Sequence, residues 1–167
     1  MSLRDKLLVW LAEEGLETRI ESVPPGVPVE WAISAFLPGP IRVGVIMQQP
    51  KDRKDVVMLT LGVMVGNEHR EGLMKLSLGE RVQIAHDMLK SLLFLCPDCS
   101  IFMQPSLEDL QYINLSRVHY VNNLTREELM YSVRVLSNAF ILVVSELNTS
   151  LAARGVLKRQ GGEGISI

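Results

Sequence analysis

Between residues 31 and 65 the chain passes three times through apolar, β-branched sequence, over residues 31–37, 41–49 and 56–65. These runs are interrupted by Pro38-Gly39-Pro40 and by the mixed-charge segment Pro50-Lys51-Asp52-Arg53-Lys54-Asp55. Branched side chains pack well on a pleated surface, whereas proline and glycine stop a ladder, so the pattern predicts three antiparallel strands joined by turns. An all-helical fold does not accommodate it. The charged tip at 50–55 reads as a solvated hairpin end in preference to a phosphate or acidic-partner contact. Upstream, Val23-Pro24-Pro25-Gly26-Val27-Pro28 carries three prolines, which remove backbone donors and fix φ. It reads as a rigid connector, preceded by a short strand candidate at residues 17–23.

Helical signals flank this meander. Leu3, Leu7, Trp10 and Leu11 fall at helical spacing, with Ser2 placed to cap the start and Gly15 the end, predicting a helix over residues 3–14. Ser77-Leu78-Gly79-Glu80 has the form of a capping box and opens a helix over 78–95, apolar over much of its circumference. Residues 100–104 and 112–121 read as two further strands. A second capping box, Thr125-Arg126-Glu127-Glu128, opens the longest helix, running to about residue 154. Its apolar positions Leu129, Val133, Leu136, Phe140, Val143, Leu147 and Leu151 recur every three or four residues, nearly a heptad seam. Packing of the seam on the protein's own sheet is favoured over packing between subunits. The candidate dimer or protein-binding residues are Leu129, Val133, Leu136, Phe140, Val143 and Leu147.

The fold class is therefore α+β, an antiparallel sheet of about five strands with three helices in the order α-β-β-β-α-β-β-α. A length of 167 residues suits one domain, assigned to 1–154, with a flexible C-terminal tail at 155–167. Hydrophobic residues at 47% and charged residues at 22% exclude a disordered chain. The formal charge of −2 offers no general attraction for a phosphate backbone, so no nucleic-acid partner is expected. No signal-peptide pattern is seen, and the apolar run at 139–144 is far shorter than a bilayer span. A cytoplasmic protein without membrane association is the expectation.

This element order, with its helix lengths and turn placement across residues 3–153, resembles that of class I type III secretion chaperones and the related YbjN-like proteins. Uncharacterised archaeal proteins of about this size are similar as well. The resemblance implies a homodimer that holds an extended segment of a partner polypeptide on apolar sheet and helix surfaces, without a catalytic centre.

The sharpest local motif is Cys96-Pro97-Asp98-Cys99. Two intervening residues allow a disulfide to close, and thioredoxin-like proteins place such a pair at a helix N-terminus, which stabilises a thiolate. Here the pair follows a helix, where the macrodipole is negative. A turn with reduced or incidental thiols is favoured, then a structural disulfide, then redox or metal chemistry through Cys96 and Cys99. A zinc site wants about four ligands, and His69, His86 and His119 are scattered, with His86 ten residues up the same helix. Arg117 and His119 alternate onto one side of a strand, read as a solvated face in preference to a catalytic base. No phosphate-binding loop, dinucleotide fingerprint, nucleophile elbow or metalloprotease motif occurs, so no cofactor is implied. Methionines 47, 58, 64, 74, 88, 103 and 130 read as core filling, or as an adaptable binding surface should several lie exposed together. The expected function is a non-enzymatic, chaperone-like protein-binding domain, with a thiol redox or metal-binding protein as the alternative.

Overall fold

The computed structural model describes residues 1–157, in which the chain forms α1 (Leu3–Glu13), β1 (Glu17–Glu21), β2 (Val29–Phe36), β3 (Gly44–Pro50), β4 (Val56–Met64), α2 (Asn67–Met74), α3 (Leu78–Leu95), β5 (Ser100–Pro105), β6 (Leu110–Tyr120) and α4 (Arg126–Ala153). The strands make one antiparallel sheet in the order β1-β2-β3-β4-β6-β5. The expected meander is β2, β3 and β4, with Ile33 opposite Met47 and Met47 opposite Leu59.

Both capping boxes form. The Ser77 amide donates to the Glu80 carboxylate at 2.9 Å, and the Ser77 hydroxyl accepts the Glu80 amide. At the start of α4 the Thr125 amide donates to Glu128 at 3.0 Å, and the Glu128 amide donates back to Thr125 Oγ1 at 3.2 Å. Two glycines stop helices in the left-handed region that favours this residue, Gly15 at φ +74° and Gly155 at φ +70°. In each, the amide of the following residue returns to a carbonyl one turn back, Leu16 to Leu11 at 3.0 Å and Val156 to Leu151 at 3.1 Å. Residues 155–157 thus belong to a helix-ending turn, and the remainder of the expected tail, 158–167, lies outside the described residues.

Two elements correct the expected order. There are six strands, because residues 17–21 form β1 at one edge of the sheet, and four helices, because residues 67–74 form α2. Neither announces itself through an apolar stripe. Strand β1 alternates the charged Glu17, Arg19 and Glu21 with Thr18 and an exposed Ile20, and only Gly72 and Leu73 of α2 are buried. The α2 start also lacks a side-chain cap, its N-cap being Gly66, and Gly72 within it argues against a helix on propensity.

The chain divides into two compact units, residues 1–61 with 116–137, and residues 62–115 with the chain from 138 onward. In the first, Ile33, Ala35, Val45, Met47, Val57, Leu59 and Leu61 of the sheet are buried, as are Leu7 and Leu11 of α1 and Leu129, Val133 and Leu136 of α4. Arg126 of α4 donates to Glu14 at 2.8 Å and to Glu13 at 2.7 Å, tying the start of α4 to the end of α1. In the second, Ile84, Ala85, Met88 and Leu92 of α3 are buried, with Ile113 and Leu115 of β6 and Val143, Leu147 and Leu151 of α4. His69 Nε2 donates to Asn148 Oδ1 at 2.7 Å, fixing α2 to α4.

Candidate functional site: the open sheet face beside a proline-rich strap

Strand alternation sends every second side chain of the first unit to the face away from the buried cluster. Register aligns Arg19 with Ser34, Ser34 with Ile46 and Ile46 with Thr60, and in the next row Glu21 with Ala32, Ala32 with Gln48 and Gln48 with Met58. The Val121 amide donates to the Asp55 carbonyl at 2.8 Å. Counting inward from that bond sets Tyr120 opposite Val56, Val118 opposite Met58 and Ser116 opposite Thr60. This face carries apolar side chains in water: Ile46 is 39% exposed, Val118 53% and Tyr120 58%, and Met58 is half-buried among them.

The proline-rich connector borders the same face. Its turn, where the Val27 amide donates to the Pro24 carbonyl at 3.3 Å, and the bond from the Lys51 amide to the Pro28 carbonyl at 3.1 Å hold it as a strap along the sheet. A groove of about 350 Å³ runs between strap and sheet, lined by Val23, Pro24 and Val27 on one side and Ala32, Ile46 and Gln48 on the other. One wall is polar. The Ser34 hydroxyl donates to the Glu21 carboxylate, which also accepts from Arg19 at 2.8 Å. These donors, Ser34 first and Arg19 second, hold the Glu21 carboxyl below its ordinary value. The charge there is already paired, so the groove offers apolar surface.

The residues named from sequence separate into several places. Leu129, Val133, Leu136, Val143 and Leu147 are buried within the chain, and Phe140 is half-buried. The seam therefore lies in the protein's own core, and α4 turns Tyr131 and Ile141 outward at 58% and 49% exposure. Arg117 and His119 face α4 and do not form the solvated strand face expected of them. The Arg117 guanidinium lies 5.4 Å from the centre of the Tyr131 ring, and His119 Nε2 lies 2.8 Å from Ser132 Oγ. Strand alternation placed both residues on one side, and the amphipathic helix that covers this side is what the local pattern does not reveal. Met47, Met88 and Met130 are core residues, Met58 and Met103 are half-buried, and Met64 and Met74 are 74% and 64% exposed.

Cys96 and Cys99 form a disulfide across the turn that follows α3, where the Cys99 amide donates to the Cys96 carbonyl at 3.1 Å. The reduced-thiol turn favoured from sequence is thus replaced by the structural disulfide. Asp98 completes a cluster, its carboxylate oxygen 3.4 Å from Cys96 Sγ, and the three ligand-capable atoms lie within 4.8 Å of one another. Joined sulfurs are not thiolates, so metal binding there requires prior reduction. Helix α4 has the length, and over its most apolar 18 residues a mean hydropathy of 1.4, of a bilayer-crossing segment. Its apolar stripe is also the buried seam of the core.

Comparison with known proteins places this architecture. No curated protein matches the sequence. The crystal structure of an uncharacterized protein from Methanothermobacter thermautotrophicus superposes with a TM-score of 0.76 at 16% identity, over 89% of this chain and 98% of that one. The crystal structure of YbjN from E. coli aligns with a TM-score of 0.46 at 15% identity, over 92% of this chain and 93% of that one. The archaeal likeness establishes a shared fold. The family profile described as Uncharacterized conserved protein (DUF2299) matches residues 3–147, and the chain belongs to that family.

Proposed function

We propose that this protein is a non-enzymatic, chaperone-like binding domain that holds an extended polypeptide segment on the open face of its sheet, and that it works as a homodimer in the cytoplasm. One observation carries the reading: Ile46, Val118 and Tyr120 stand exposed together beside a strapped groove whose charges are already paired. Exposed apolar side chains grouped on one face favour burial against a partner, and Met58 among them adapts to varied side chains. The element order resembling the secretion chaperones points the same way.

The test is binding of a permanently unfolded probe, fluorescein-labelled reduced and carboxymethylated α-lactalbumin, followed by anisotropy. Val118→Glu with Tyr120→Glu, two exposed positions, should weaken binding at least tenfold while circular dichroism stays native. No binding at 50 μM protein, or binding unaltered in the double variant, would overturn the reading.

The joined cysteines favour a second reading, a thiol redox protein. Asp98 beside Cys96 and the negative end of α3 both oppose a thiolate, which weighs against a reactive nucleophile. Rapid turnover of a small disulfide substrate by the reduced protein would reinstate it.

A further inference from the structure

The sheet has two edges, β1 and β5, and they differ in a way that bears on the partner. An edge strand presents unpaired amides and carbonyls, and native proteins protect such edges with charge. Strand β1, Glu-Thr-Arg-Ile-Glu, is protected: Arg19 pairs with Glu21 at 2.7 Å, and Arg42 reaches Glu17. Antiparallel pairing of two copies along β1 about Arg19 would set like charges opposite one another, which is destabilising, and registers one residue away, which oppose Glu and Arg, would use charges already paired within the chain. Strand β5, Ser-Ile-Phe-Met-Gln-Pro, carries no charge. Phe102 near its middle is 57% exposed, and at the end of α3, a few residues before β5, Leu93 is 45% and Phe94 93% exposed.

We propose that a second copy of this chain pairs antiparallel with β5 along its free edge, with Phe102 and Phe94 of each copy covered by the other. The inference rests on the homodimeric part of the reading above and assigns its interface. A two-fold axis across β5 generates an antiparallel pair by itself, so one strand supplies both halves of a self-complementary contact. No like charges oppose each other there. Burying the two phenylalanines removes on the order of 300 Å² per copy, against roughly 800 Å² per partner in a stable interface. Leu93 and the paired backbone extend the contact.

The experiment is light scattering of the full chain from 1 to 100 μM. The wild type should be a dimer, and Phe94→Lys with Phe102→Lys should raise its dissociation constant at least tenfold. Tyr131→Lys with Ile141→Lys, on the outer side of α4, should leave it unchanged. Phe102→Cys should form disulfide-linked dimers on mild oxidation, a readout independent of any loss of stability in the lysine variant. A monomeric wild type, a dimer dissociated by the α4 pair and not by the β5 pair, or no cross-linking by Phe102→Cys would overturn the assignment. A monomer that still binds the unfolded probe overturns the homodimer and with it the edge pairing while the sheet-face reading stands, and a dimer that ignores the probe overturns the sheet-face reading alone.

Discussion

His119 Nε2 lies 2.8 Å from Ser132 Oγ, and the Ser132 hydroxyl itself donates to the Glu128 carbonyl at 2.8 Å. A serine hydroxyl has a single hydrogen, so with that hydrogen directed at Glu128 it is His119 that donates. Ser132 is fully buried and its proton is held by a helix carbonyl, an arrangement that braces β6 against α4 and does not prepare a nucleophile. Replacing His119 by alanine removes a donor from a buried acceptor and should cost about 1–2 kcal/mol, measured as a shift in the urea midpoint. His119→Gln, which keeps an N–H donor, should recover part of the loss.

Leu136, fully buried on α4, separates the two roles of the seam. As core, Leu136→Ala should lower stability by about 2–5 kcal/mol, and Leu136→Glu should prevent folding by placing a charge in the apolar interior. Phe140→Ala, at a half-buried position, should cost less. A Leu136→Ala protein that dissociates without loss of unfolding free energy would instead make the seam a contact between chains.

Elements with strong local grammar are legible in the sequence. Capping boxes at Ser77 and Thr125 announced the starts of α3 and α4, and turn residues at 38–40 and 50–55 divided β2, β3 and β4. What stays a bare candidate, β1 within residues 17–23, and what escapes, α2, both depend on distant neighbours. Strand β1 is recognisable once Ser34 and Phe36 are seen beside Arg19 and Glu17. Helix α2 holds through Leu73 and through His69 reaching Asn148, 79 positions away. Likewise the seam from Leu129 to Leu147 shows in sequence that an apolar surface exists, and only the placement of Arg117 and His119 toward Tyr131 and Ser132 shows that β6 lies against α4. The open face is half legible in the sequence: of the methionines, Met58 lies on it while Met47 is in the core, because the turns delimit β3 and β4 without fixing the register between them.

Acid should weaken the fold through its helix caps. The hydroxyl and amide of Ser77 hold the Glu80 carboxyl below its ordinary value, and the amide and hydroxyl of Thr125 do the same for Glu128. A carboxylate whose folded value is depressed contributes stability that is complete above the unfolded value of 4.5 and is lost as pH falls through the folded value. Unfolding free energy should therefore decline from about pH 5 downward. Glu80→Gln with Glu128→Gln keeps a capping acceptor but cannot titrate, so its acid limb should be shallower. Parallel limbs in urea titrations at pH 3 to 7 would show that other carboxylates govern acid unfolding.

Closing Cys96 to Cys99 constrains a short loop between α3 and β5. In the chain-entropy account a loop this small contributes roughly 2 kcal/mol by restricting the unfolded chain, which for a protein of this size corresponds to about 4–8 °C in Tm. Cys96→Ser with Cys99→Ser should therefore lower Tm by that amount, and adding dithiothreitol should lower wild-type Tm toward the variant while leaving the variant unaffected. Cys96 is almost wholly buried, so the serine at 96 adds a polar group to an apolar site; Cys96→Ala with Cys99→Ser removes that penalty and isolates the crosslink. If reduction leaves wild-type Tm unchanged, the turn is held by the Cys99 amide bond to the Cys96 carbonyl and by packing of Cys96, and the disulfide has no part in stability.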